Sequence, residues 1–265
     1  MARSCSTGYA RDKVRYAKQF VNCLFEEDFS QLQKLSESKR NHVMCALSSL
    51  AKFLGKYEDF KRLVGAYGLK WKSVNAEDLL ISRINKVERD GSVLNWVGEV
   101  KEKRPELDYF MDFMLITGLR YVEAIESYNL IINLAKEDRL DEYYKIKKEA
   151  LEHFRFKQLF MRRTKKAFIS FVPKEFIEKI SKQKFLTRHQ IKNRIQRRGL
   201  KLRFGDIREY YATFTNRYLT REEIDFLQGR ISSNVFMRNY FNPALISDLK
   251  KRVFQALEKI EELCS

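Results

Sequence analysis

The sequence predicts a mainly helical protein with one small β-hairpin or sheet, organised as an N-terminal helical bundle and a larger mixed domain. Three observations carry this reading. Only three prolines and ten glycines punctuate 265 residues, and these are the residues that break helices most strongly. Apolar residues recur three and four apart along most of the chain, which places them on one helical face. One stretch alone, 154–173, reads convincingly as strand.

In order, residues 9–25 read helical, with Val14, Ala17, Val21 and Leu24 on one face. Residues 39–54 repeat the pattern through Val43, Leu47, Leu50 and Leu54, and Gly55 follows as a C-terminal cap. Residues 57–67 make a further short helix. The first domain is therefore placed at 1–72. It holds 14 basic and 7 acidic residues, a net of +7 on a small bundle, which calls for a polyanionic partner. A linker is expected at 71–75, and the second domain at 76–265. Residues 78–91 read helical, and Asp90-Gly91-Ser92 breaks into another helix toward Lys103. Pro105 suits a first helical turn, opening a helix through Phe110, Phe113 and Met114 to Thr117-Gly118. Another follows Arg120, carrying Ala124, Ile125, Leu130 and Ile131.

The predicted hairpin has Phe154, Phe156, Leu159 and Phe160 on its first strand, a basic turn from Arg162 to Lys166, and a return strand over 167–172. Helical patterns resume after Pro173. The last segment carries Leu249, Val253, Leu257 and Ile260 at helical spacing. That stripe either tethers a neighbouring copy or folds onto its own domain.

Composition narrows the function. An apolar content of 44%, with 13% aromatic residues, supports real cores and excludes a disordered chain. The formal charge of +17 and pI near 9.6 suit a polyanion. No window approaches a membrane-spanning apolar run. The first residues lack an apolar signal core, so nucleic acid is the expected polyanion and the cytoplasm, in association with a prokaryotic nucleoid, the expected place. The four cysteines, Cys5, Cys23, Cys45 and Cys264, form no C-x-x-C pair, and the three histidines are scattered. No metal site is expected. Cys23 and Cys45 read as buried, reduced side chains.

Four short motifs follow one another. Thr117-Gly118-Leu119-Arg120 is followed three residues on by Glu123. Arg208 opens Arg-Glu-Tyr-Tyr-Ala-Thr, then come Leu227-Gln228-Gly229-Arg230 and finally Asn239-Tyr240-Phe241. Each is weak by itself. In this order they resemble the tyrosine recombinase family of phage-type integrases, and within it the archaeal virus and plasmid integrases of the fusellovirus type. The likeness runs from about residue 78 to the end. It implies a tyrosine-recombinase catalytic domain in the second half and a DNA-binding bundle in the first.

The resemblance assigns Arg120 and Arg208 as phosphate clamps, with Glu123 orienting Arg120. It makes Arg230 a further donor to the phosphate, where the family commonly has histidine, and Tyr240 the nucleophile. A catalytic lysine belongs on the hairpin turn; Lys165 is favoured, with Lys166 the alternative or a DNA contact. Gly205 stands three residues before Arg208, where the family usually has histidine or lysine, so what assists proton transfer from the tyrosine is open. The chemistry asks for these residue types. A phenol conserves the phosphodiester energy in a covalent link and leaves again. Guanidinium forks meet the charge that develops on the phosphorane oxygens, and lysine protonates the departing 5′-oxygen.

The stretch 187–203 holds seven basic residues and no acid: Arg188, Lys192, Arg194, Arg197, Arg198, Lys201 and Arg203. Ile191 and Ile195 give it one buried stripe, and its cations are expected on DNA phosphates. The reading that follows is a site-specific recombinase acting on double-stranded DNA through a 3′-phosphotyrosyl intermediate, without metal or cofactor. It would be a homo-tetramer on synapsed DNA and a monomer or weak oligomer when free. A type IB topoisomerase-like nicking-closing enzyme and a non-catalytic basic DNA-binding protein are the alternatives.

Overall fold

The computed structural model describes residues 7–71, 75–162, 165–230, 236 and 239–264, with side chains for all of these except 7, 76, 87–90 and 261–264. Residues 72–74 of the expected linker, Arg163 and Thr164 of the expected turn, and Cys5 lie outside the described residues. The chain divides into two compact units, 1–85 and 86–265. It is mainly α-helical with one small antiparallel sheet.

The first unit contains α1 (Thr7–Phe25), α2 (Ser30–Gln33), α3 (Glu37–Phe53) and α4 (Tyr57–Ala66). Its core is Phe20, Leu24, Phe29, Leu32, Val43, Met44, Leu47, Phe60 and Leu63. The inward face of α1 is rotated from the expected stripe. Phe20, Cys23 and Leu24 are buried, while Val14 is 54% exposed, because the larger aromatic surface of Phe20 returns more on burial than valine. Cys23 is buried as expected; Cys45 is only half-buried. Gly55 follows α3 with φ +71°, the left-handed cap that glycine adopts without a Cβ penalty.

α5 (Ala76–Asp90) spans the division between the units. The second unit continues with α6 (Val93–Lys103), whose N-terminus is capped by the Ser92 hydroxyl accepting from Leu94 N–H at 3.2 Å. After a 3₁₀ turn at Pro105–Leu107 come α7 (Asp108–Thr117) and α8 (Tyr121–Lys136). The core runs through Trp96, Val100, Phe110, Phe113, Met114, Tyr128, Ile131 and Ile132.

Strands β1 (Tyr144–Lys145), β2 (Ala150–Glu152) and β3 (Ile169–Phe171) form the sheet in the order β1-β2-β3, with Leu151 opposite Tyr144 on one side and Ser170 on the other. The return strand lies where the sequence places it, but the first strand does not. Residues 153–155 form a 3₁₀ turn and Lys157–Phe160 the short helix α9. Phe156 and Phe160, four apart, share one face of this helical turn and both pack on Tyr143, at ring distances of 5.2 and 6.0 Å. Spacing by four wins over alternation because a buried ring receives them. Near its tip the hairpin keeps an isolated antiparallel bridge between Met161 and Lys166, and farther back the Phe154 N–H donates to the Phe168 carbonyl at 3.2 Å.

Helices α10 (Lys174–Ser181), α11 (Arg188–Gln196), α12 (Phe204–Thr215), α13 (Arg221–Leu227) and α14 (Leu249–Cys264) complete the unit. Leu249, Val253, Leu257 and Ile260 of α14 are all buried in the core of this same unit. Of the two uses read from the sequence, packing at home is the one present. Arg252 fixes the helix further, donating from Nη1 and Nη2 to the Glu223 carboxylate at 2.8 and 2.5 Å.

Candidate active site

Two turns far apart in sequence meet at Arg208. α7 ends at Thr117, and Gly118 turns the chain with φ +57°. A Cβ there would stand 2.4 Å from the Tyr211 ring, so glycine lets α12 approach the turn. Arg208 is 8% exposed on α12. Its Nη1 donates to the Gly118 carbonyl at 2.8 Å and its Nη2 to the Gln228 carbonyl at 2.5 Å. Gln228 answers with its side-chain amide on the Arg208 carbonyl at 2.9 Å. Arg208 thus ties the Thr-Gly-Leu-Arg turn to the Gln-Gly-Arg turn through neutral carbonyls, which hold its orientation without cancelling its charge.

Arg120 caps the start of α8. Its N–H donates to Glu123 Oε2 at 3.3 Å, and its Nη1 reaches both Glu123 oxygens at 2.9 and 3.2 Å and the Lys166 carbonyl at 3.2 Å. Glu123 is 1% exposed, and burial makes such a charge-assisted bond stronger than in water. Gly229, at φ +62°, lies directly against the same Lys166 carbonyl. Arg230 follows, 48% exposed, 4.0 Å from Asp225.

The electrostatics agree with the geometry. Burial lowers the Arg208 guanidinium to about 9, and the positive charges of Arg120 and Arg230 push the same way. A buried cation facing two more cations is a site made for an anion. Sequence reasoning passed over Arg162. Its Nη2 donates to Glu123 Oε1 at 3.2 Å, the same oxygen that accepts from Arg120 Nη1. Around the cluster, Arg120 and Arg162 pair with Glu123 and Arg230 lies near Asp225, while Arg208 bonds carbonyls, so these four guanidiniums outnumber the two carboxylates.

Lys165 is exposed and Lys166 half-buried on the hairpin tip. The Arg162 N–H donates to the Lys165 carbonyl at 3.0 Å, closing the turn. Tyr240 is 72% exposed. Phe241, beside it, packs on Phe226 of α13 at 5.9 Å and Phe236 at 6.2 Å. No contact among the described residues joins Tyr240 to the arginines. Tyr211 is buried beneath Gly118, and Tyr210 stacks on Phe214 at 5.6 Å.

The basic stretch is less uniform than its sequence. Thr187 caps α11, and Ile191 and Ile195 are buried. Lys192, Arg197, Arg198 and Lys201 are exposed. Arg188 is exposed but donates to Glu126 at 3.0 Å, and half-buried Arg194 lies 3.8 Å from Glu106. Arg203, read from the sequence as a DNA contact, is placed otherwise. It is 7% exposed and donates to Asp206 at 2.8 Å and to the Gly91 carbonyl at 3.0 Å, while Lys86 bonds the same Asp206. A guanidinium buried in such a tie holds the start of α6 to α12 and is turned away from solvent.

Among the described residues no group of His, Cys, Asp and Glu side chains is arranged to hold a metal ion, and no helix is long and apolar enough to cross a membrane. Residues 86–254 match the sequence model of the archaeal phage integrase family. No curated protein and no solved structure matches the chain.

Proposed function

The chain belongs to the archaeal phage integrase family, and from that premise we propose that it is a site-specific DNA recombinase that cleaves and rejoins strands through a 3′-phosphotyrosyl intermediate. The observation that carries the reading is the grouping of Arg120, Arg208 and Arg230, with Arg208 buried and donating to two backbone carbonyls. A phosphodiester entering the cluster brings one negative charge, and its phosphorane transition state two. The excess of positive charge in the cluster stabilises the transition state more than the ground state, which is the requirement for catalysis.

In the proposed reaction Tyr240 Oη bonds to phosphorus as the P–O5′ bond breaks. The phenolic proton passes to solvent, and Lys165 donates a proton to the leaving 5′-oxygen. Attack by a partner strand's 5′-hydroxyl reverses the step with no net loss of phosphodiester bonds. Glu123 keeps Arg120 oriented. The exposed cations Lys192, Arg197, Arg198 and Lys201, with Arg188 and Arg194, bind DNA backbone, as does Lys166 on the hairpin tip, while the basic first unit clamps the duplex. Recombination requires four copies on two synapsed duplexes.

The test is a suicide duplex from which the released fragment, bearing the free 5′-hydroxyl, diffuses away. The unaltered chain traps a covalent protein–DNA adduct and Tyr240→Phe binds the duplex without forming it. An adduct of equal yield in Tyr240→Phe removes Tyr240 from the mechanism; no adduct from the unaltered chain favours a non-catalytic DNA-binding protein.

A further inference from the structure

Arg162 and Arg120 hold one carboxylate between them. Glu123 Oε1 accepts from Arg120 Nη1 at 2.9 Å and from Arg162 Nη2 at 3.2 Å. The acid is 1% exposed, and the side chains of Arg120 and Arg162 are 24% and 34% exposed. Arg162 Nε is buried with no hydrogen-bond partner among the described residues. A lone carboxylate normally needs one guanidinium fork; the second must be accounted for by what else Arg162 touches.

It stands at the base of the hairpin tip. Its N–H donates to the Lys165 carbonyl at 3.0 Å, the neighbouring Met161 pairs with Lys166, and the Lys166 carbonyl accepts from Arg120 Nη1 at 3.2 Å. The tip is therefore fastened to the Arg120–Glu123 pair at two points. One runs from Arg120 Nη1 to the backbone carbonyl of Lys166, which no substitution within the tip removes. The other is the Arg162 side chain. Two fastenings resist rotation where one is a pivot, so Arg162 sets the angle at which the lysines of the tip stand to the phosphate clamp.

We propose that Arg162 is a positioning residue for strand cleavage: by bonding the same Glu123 oxygen as Arg120, it locks the lysine-bearing tip to the phosphate clamp, so that proton delivery to the leaving oxygen and orientation of Arg120 occur in one fixed geometry. The inference rests on the recombinase reading above. It assigns Arg162 no contact with the reacting atoms.

The experiment is single-turnover cleavage at saturating protein on two suicide duplexes, one ordinary and one with sulfur at the 5′-bridging position, whose thiolate leaves without a proton. Arg162→Ala is expected to slow cleavage of ordinary DNA about 100-fold, the low end of what a placed proton donor contributes, with the half-saturating protein concentration unchanged. On the sulfur duplex the deficit is expected to shrink by at least about tenfold, since the step Arg162 serves is bypassed. Arg162→Gln keeps a donor toward Glu123 and restores most of the rate. Should Arg162→Ala fail to fold, Arg162→Met, which keeps the aliphatic stem, replaces it with the same expectations. Equal loss on both duplexes, unchanged cleavage, or a loss of affinity alone overturns the proposal. Failure of the unaltered chain to cleave either duplex overturns the recombinase reading and this inference with it; any other failure touches Arg162 alone.

Discussion

Gly229 and Lys166 lie so close that a Cβ on Gly229 would stand 1.7 Å from the Lys166 carbonyl oxygen. The obstacle is backbone, which cannot swing aside as a side chain can, and the glycine also holds φ +62°. The same carbonyl accepts from Arg120. Gly229→Ala must therefore push the hairpin tip off both Arg230's turn and Arg120. The expected result is loss of covalent adduct with DNA binding retained, and a fall in melting temperature of several degrees. The strained conformation alone costs about 1–2 kcal/mol, or roughly 2–8 °C in a unit of this size. Adduct formation by Gly229→Ala at the unaltered rate would contradict the packing.

The basic stretch after Thr187 divides into two kinds of arginine, and substitution should separate them. Arg197 and Arg198 are exposed, whereas Arg203 is buried against Asp206 and Gly91. Replacing both Arg197 and Arg198 by alanine should leave the melting temperature unchanged. The slope of log K against log salt should flatten by about 1.8, at about 0.9 per phosphate contact. Arg203→Ala should do the reverse. It strands Asp206 with Lys86 as its remaining cation and costs about 3 kcal/mol, the scale for breaking a buried pair, with the salt slope retained in the folded fraction. Identical salt slopes for all three proteins would remove Arg197 and Arg198 from the interface.

His153 gives the second unit an acid-sensitive point. The ring is fully buried between the Tyr143 hydroxyl, 2.6 Å from Nδ1, and the Ser170 hydroxyl, 2.9 Å from Nε2. Burial lowers its pKa to about 3 from an ordinary 6.5. Between those values the unfolded chain binds a proton that the folded chain refuses, so stability falls as pH falls through this window, by about 1.4 kcal/mol per pH unit. Above pH 6.5 the contribution is constant. His153→Gln, which keeps hydrogen-bonding capacity without titrating, should be less stable at pH 7 yet show a shallower loss between pH 6 and 4. Parallel stability curves for the two proteins would show that His153 is not the group responsible.

The sequence announced the helices because their apolar spacing is local, and it pointed to Arg120, Glu123, Arg208 and Arg230, which the structure groups, because their residue types and order are local too. It also singled out Tyr240, which no contact among the described residues joins to them. What it did not show is long-range. Nothing at position 208 indicates that its guanidinium will bond the carbonyls of Gly118 and Gln228. Arg203 and Arg197 look alike in a charge run, and burial of one follows from Asp206 and the carbonyl of Gly91, a residue more than a hundred positions away. Arg162 was visible only as one cation of a basic turn until Glu123 received it. Residues 154–160 alternate well enough for a strand, and only the ring of Tyr143 explains the helical turns they adopt.

The terminal helix yields the last prediction. Leu249, Val253, Leu257 and Ile260 of α14 are each at most 3% exposed within their own unit. Arg252 binds Glu223, and Glu223 in turn accepts from the Thr220 N–H at 2.8 Å, closing the cap of α13. This is the helix whose end carries Gly229 and Arg230. Arg252→Ala would leave Glu223, 4% exposed, without its cation. Stranding a buried carboxylate costs about 3–5 kcal/mol. The cost should fall first on the docking of α14 and the cap of α13, before the rest of the core. Limited proteolysis should then cut ahead of α14 in Arg252→Ala at protease levels that leave the unaltered chain intact. Adduct formation should drop, because Arg230 is displaced with α13. A chain ending at Phe241 should lose solubility as well as cleavage, since it exposes the surface that these apolar residues cover. If that truncated chain instead stays folded and binds a single DNA site normally, losing only cooperative filling of paired sites, α14 serves a neighbouring copy on DNA despite its packing at home.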